Sequence, residues 1–147
     1  MFDIILTLAM QEAIVAGYSE ITPAHLLIAL SRLSEADESA IAPADSAVIR
    51  REFENFGLEP RRFRRRLRAL LGHRGVQPQG EAMHRSLACR AVFSWAERIA
   101  MAEHVPCDAS HLVRAALLVL SEGHSSDGGE QATEGITAPA NDIPTEL

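Results

Sequence analysis

Two stretches of the chain align on each other without a gap. Ala16–Leu30 falls on Ala102–Ala116, with Ala16 on Ala102, Thr22 on Asp108, His25 on His111, Leu26 on Leu112 and Ala29 on Ala115, an offset of 86 residues. An internal repeat constrains architecture more than any local propensity, because one supersecondary unit used twice buries its apolar face against its copy. Thr22 and Asp108 differ, yet either side-chain oxygen can accept from the free N–H groups of a first helical turn. The repeat therefore predicts an all-α fold of two similar helical units, about six helices in all. It points to a binding scaffold.

The helices follow from punctuation along the chain. Residues 2–16 are apolar nearly all round (Phe2, Ile4, Ile5, Leu6, Leu8 and onward), the pattern of a central buried helix, and Gly17 stops it. Thr22-Pro23 restarts the chain as N-cap and N1 proline, with a helix to about Arg32. Residues 34–46 read as a surface loop, after which Asp45 or Ser46 caps a third helix that Gly57 ends. Glu59-Pro60 opens a fourth helix ended by Gly72, and residues 73–80 link the units. A fifth helix is expected over 82–103 and a sixth from Asp108 to about Leu120. Unit one is thus 1–72 and unit two 81–122. Residues 123–147 carry too few large apolar side chains to offset ordering entropy and read as a disordered acidic tail.

Charge is segregated along this plan. All 14 cations are Arg, all lie before residue 121, and there they balance 14 acids; the net charge of −6 comes from Glu122, Asp127, Glu130, Glu134, Asp142 and Glu146. With no Lys, a G-x-x-x-x-G-K-[ST] phosphate loop is excluded. Two cysteines, Cys89 and Cys107, make no disulfide framework, so a reduced cytoplasmic setting is expected. The apolar start carries Asp3 and no basic flank, unlike a signal peptide, and no run has the roughly 18 apolar residues of a membrane span.

The pattern Leu6-x-x-Ala9-x-x-Glu12-Ala13-x-x-Ala16-Gly17, then Ile21-Thr22-Pro23-Ala24-His25-Leu26-Leu27-x-Ala29-Leu30, resembles the Clp repeat of the amino-terminal domain of Clp-type AAA+ unfoldases. The doubled spacing, the Phe56-Gly57-Leu58 corner and the Arg-rich helix after it strengthen the resemblance, which covers residues 3–123. It implies a mobile domain of paired helical units that recognises protein or peptide, substrates or adaptors, without chemistry of its own. Thr22, His25, Leu26, Asp108, His111 and Leu112 would be the structural residues of the repeat. Three departures qualify it. Met1 falls inside the first helix, the two helices expected after the sixth give way to the acidic tail, and Ala24 and Ser110 stand where a subset of the family has a Glu before each motif His. Without that acid, phosphoarginine binding by that route is not expected.

Other residues with chemical potential have plainer readings. His104-x-x-Cys107-x-x-x-His111 lacks a fourth ligand, His84 and Cys89 being remote candidates, so structural histidines and no metal are expected. Cys89 lies in an apolar helix, where a thiol is inert, and Glu12 and Glu97 form no acid–base pair. No catalytic residue, cofactor or enzymatic activity is expected. Arg61, Arg62, Arg64, Arg65, Arg66 and Arg68 surround a stripe of Phe63, Leu67, Leu70 and Leu71. Arg61, Arg62, Arg65 and Arg66 are the candidate contacts for an anionic partner, and the acidic tail is one candidate occupant. Nucleic acid is disfavoured by overall charge and by the lack of stacking aromatics. Phe2, Ile5 and Leu6 are a second candidate surface, for a partner helix or a homodimer.

The leading expectation is thus a recognition module working with a Clp chaperone or protease system. The alternative is a stand-alone interaction protein of a bacterial assembly, such as a secretion system with a Clp-type ATPase, or an electrostatic binder acting through the Arg helix.

Overall fold

The computed structural model describes residues 1–35, 41–75 and 83–133, with side chains described as far as Glu122. The fold is all-α. In chain order it comprises α1 (Phe2–Val15), β1 (Glu20–Ile21), α2 (Pro23–Leu33), α3 (Pro43–Asn55), α4 (Pro60–Leu71), β2 (His84–Arg85), α5 (Leu87–Glu103) and α6 (Ala109–Thr133). α1 packs on α2, α5 packs on α6, and α2 meets α6 at the centre. α3 lies against α6 and α2, and α4 covers α2.

The central helix is α2, not α1. α1 buries only Ile5, Ala9 and Ala13, one stripe at i, i+4, i+8, and its Val15 is 74% exposed. α2 is buried from Pro23 to Ser31 because apolar residues surround it (Leu26, Leu27, Ile28, Leu30). An all-round apolar composition therefore marked α1 as central wrongly; small residues on its inner stripe let it lie close on α2 as a cover. One continuous core joins Ile5 of α1, Leu26 and Leu30 of α2, Phe53 of α3, Leu67 of α4, Val92 and Ala96 of α5, and Leu112 and Ala116 of α6.

Three boundaries differ from the sequence reading. α3 begins at Pro43 with Ala42 as N-cap, because a proline at N1 needs no partner for the N–H it lacks. Ser46 instead donates its hydroxyl to the carbonyl of Leu33 and ties the start of α3 to the end of α2. α5 begins at Leu87 rather than 82. Ser86 caps it by accepting from the Cys89 N–H at 3.0 Å, and the residues before it form β2, parallel to β1 with Glu20 opposite His84 and Ile21 opposite Arg85. The Ser86 N–H continues this short ladder by donating to the Ile21 carbonyl at 2.9 Å. α6 runs on past Leu120 to Thr133, because adding a residue to a formed helix is cheap and no proline interrupts it. The rest of the expected tail, 134–147, lies outside the described residues.

Helix directions follow from a few contacts. The Tyr18 hydroxyl donates to the Leu71 carbonyl at 3.0 Å, so α4 ends where α2 begins, while Arg64 reaches Ser31 near the end of α2. α4 is antiparallel to α2. A cavity of about 330 Å³ lined by Asp45, Val48, Asp108 and Ala109 puts the start of α3 beside the start of α6. Since Ser46 also holds the end of α2, α6 starts there and leaves the body at the beginning of α2.

Candidate interaction surface

The repeat motif resolves into one device built twice. In unit one the Thr22 N–H donates to Nδ1 of His25 at 2.9 Å, and the Thr22 hydroxyl lies 2.9 Å from the same nitrogen. In unit two the Asp108 N–H donates to Nδ1 of His111 at 3.0 Å, and the Asp108 carboxylate accepts from the Ser110 N–H at 2.9 Å. This is the reach-back half of a capping box, with imidazole at the third helical position in place of the usual Glu or Gln. An Nδ1 that accepts a backbone N–H puts the proton of the neutral ring on Nε2.

The two Nε2 atoms meet different surroundings. That of His25 is fully buried without a hydrogen-bond partner among the described residues, and the ring packs edge-on against Tyr18 at 4.8 Å between centroids. Burial pushes the His25 pKa down to about 4, opposed in part by the negative charge of Glu12. That of His111 lies 3.1 Å from Glu103, whose carboxylate takes two further bonds from Arg114 at 2.6 and 3.1 Å. Those Arg114 bonds first, and the His111 bond second, hold the Glu103 carboxyl at about 2. Arg114 also pairs with Glu52 at 3.4 Å and so links α6 to α3. Thr22, His25, Leu26, Asp108, His111 and Leu112 are all placed in these two capped helix starts and the core beneath them.

The six arginines of α4 divide into two sets. Glu59 caps the helix by accepting from the Arg61 and Arg62 N–H groups at 3.3 and 2.8 Å. Three arginines then face inward or along the seam. Arg64 is buried, donating to the Ser31 hydroxyl and the Glu35 carboxylate at 3.2 Å each. Arg61 reaches the same Glu35 at 3.3 Å. Arg68 forks onto Glu12 at 3.2 and 2.7 Å, and Glu12 also pairs with Arg32 at 3.3 Å. Arg62, Arg65 and Arg66 are exposed and make no ion pair among the described residues.

Of the four arginine candidates, then, Arg61 is engaged within the fold, while Arg62, Arg65 and Arg66 form an outward face. The inward stripe also differs from expectation. Phe63, Leu67 and Leu71 pack inward, but Leu70 is 77% exposed and Arg64 takes the inward position. Positions 60, 64, 67 and 71 form one side of a 3.6-residue helix, and Leu70 falls on the other side of Leu67, beside Arg66.

The first-helix candidates separate too. Ile5 is fully buried, packed in the core by the i, i+4 stripe, and cannot contact a partner from this position. Phe2 and Leu6 are half-buried; Phe2 packs edge-on against Phe93 at 6.2 Å. Glu12 is not an isolated acid, since it joins α1 to α2 and α4. No local spacing announces that role, because its partners lie 20 and 56 residues away.

Cys89 is buried and its thiol is pushed up to about 11 by desolvation; Cys107 is half-buried and raised for the same reason first. His104 is exposed and serves as the left-handed C-cap of α5, at φ 61° and ψ 39°. Among the described residues no group of three His, Cys, Asp or Glu side chains is placed to hold a metal ion, and no helix is long and apolar enough to cross a membrane. No protein-family model matches the chain, and no curated protein sequence matches it.

Proposed function

We propose that this protein is a non-catalytic module for recognising protein or peptide, similar to the amino-terminal domain of Clp unfoldases, and that it works in the cytoplasm in or alongside a Clp chaperone or protease system. The observation that carries this reading is the doubled cap. Two helix starts 86 residues apart use the same imidazole-to-amide bond, and the helices they open form the centre of the molecule. The polar groups of both motifs are spent on that scaffold, which leaves outer helix faces for binding. The test is direct titration of the full chain with the purified Clp-type ATPase of the same genome, with affinity capture from host lysate alongside. Saturable binding that persists near 150 mM salt supports the reading. No binding to the ATPase, its protease or their clients overturns it, and capture of a secretion-system component instead moves the protein to that assembly.

The exposed Arg62, Arg65 and Arg66 favour a second reading, electrostatic binding of anionic partners. Such binding falls log-linearly with salt if the partner is a nucleic acid. An acidic protein partner shows a shallower dependence.

A further inference from the structure

We propose that the outer face of α4 is a docking surface for the chain's own acidic C-terminal segment, residues 134–147. The proposal is independent of any Clp-type partner.

Among the described residues the face carries more guanidinium groups than carboxylates to pair them. Arg32, Arg61, Arg62, Arg64, Arg65, Arg66 and Arg68 share three carboxylates, Glu12, Glu35 and Glu59, two of which are each divided between two arginines. The excess sits on Arg62, Arg65 and Arg66, the exposed arginines of α4 without ion pairs among the described residues. Leu70 lies one turn beyond Arg66 and is 77% exposed. The far end of the segment offers a matching set: Asp142 and Glu146, no cation, and Ile143 between the two acids. Carboxylates on either side of an aliphatic side chain suit a face of guanidinium groups beside a leucine.

Topology makes the contact reachable. α6 leaves the body at the beginning of α2, the end at which α4 finishes. From Leu120 to Thr133 the helix projects about 20 Å at ~1.5 Å per residue. Returning to Arg66 and Arg62, across two helix spacings of roughly 10 Å each, requires about 40 Å. Fourteen extended residues span up to about 46 Å.

The test compares the full-length chain with two full-length variants, Asp142→Asn/Glu146→Gln and Arg62→Gln/Arg65→Gln/Arg66→Gln, with far-UV circular dichroism checking that each keeps its helices. Backbone amide NMR shifts at low salt should differ between wild type and the acid-neutralised variant at residues 62–70, and the differences should vanish in 0.5 M NaCl. A labelled oligoglutamate peptide should bind the acid-neutralised variant about two- to fivefold more tightly than wild type, as expected for relief from two exposed ion pairs, and should not bind the arginine variant. Amide shifts that are unchanged, or that change away from α4, overturn the proposal. So does oligoglutamate binding equally to wild type and the acid-neutralised variant, which assigns the face to an external anionic partner.

Discussion

An imidazole at the third position of a helix does what Glu or Gln does in a capping box, but it couples the cap to pH. At His25 the coupling has a definite sign. The folded-state pKa is depressed from 6.5 to about 4 by burial. Above about pH 6.5 both folded and unfolded chains hold the ring neutral, and the full stability is present. As pH falls from 6.5 towards 4 only the unfolded chain takes up the proton, so stability is lost across that window and levels off below it. The loss is roughly 3 kcal/mol. Protonation of Nδ1 would also break the bond from the Thr22 N–H. His25→Gln keeps an acceptor without the titration. Urea unfolding from pH 7 to pH 4 should show the variant about 1 kcal/mol less stable at neutral pH and distinctly flatter below it. Parallel wild-type and variant curves would refute the assignment.

At the scale of elements, the corners are where sequence and structure agree best. The Gly17 backbone is left-handed at φ +76°, and a Cβ there would stand 2.5 Å from the Gly75 backbone nitrogen. The chain after α4 lies against this corner, with the Arg74 N–H donating to the Ala16 carbonyl at 2.8 Å. Gly17→Ala should therefore cost about 1–3 kcal/mol and speed hydrogen exchange of the Arg74 amide; unchanged exchange would mean the corner tolerates a side chain. Glu12 is the other joint, since it holds Arg32 of α2 and Arg68 of α4 on one carboxylate. Glu12→Gln should lower stability by about 1 kcal/mol, less so in high salt, and an unaltered denaturation midpoint would show that the joint contributes nothing.

These joints explain what was legible in the sequence. The starts of α2 and α4 and the stops at Gly17 and Gly72 are written locally, in a proline at N1 or a glycine after the last turn, and they stand where that chemistry puts them. The β1–β2 pairing is not local, since each strand has only two residues and its partner lies 64 positions away. Ser86 did carry a cap signal, but the helical composition upstream of it concealed the true start of α5. The partition of the Arg helix was illegible for the same reason as the pairing. Which arginines are spent depends on Glu35 and Glu12, 26 to 56 residues distant, so spacing within α4 shows that a basic surface exists but not which guanidinium groups remain on it.

For the molecule as a whole, the repeat has two possible consequences for cooperativity. Two similar units could fold as separate modules, each with its own small core. The packing argues against this. α2 and α6 contact each other at the centre, α3 of the first unit lies along α6 of the second, and Arg114 ties α6 to Glu52 of α3. Leu112 is fully buried where the units join, in the same continuous core as Leu26. Leu112→Ala should cost about 2–5 kcal/mol by loss of burial and creation of a cavity, and that cost should be felt in both units. Trp95, the single tryptophan, reports on α5 in unit two, while far-UV circular dichroism reports on every helix. If one core serves both units, the two probes give coincident urea transitions in wild type and variant, both shifted to lower denaturant by the same amount. If Leu112→Ala moves the Trp95 transition and leaves a second, unshifted transition in the dichroism, the units fold independently and the shared core contributes little to holding them together.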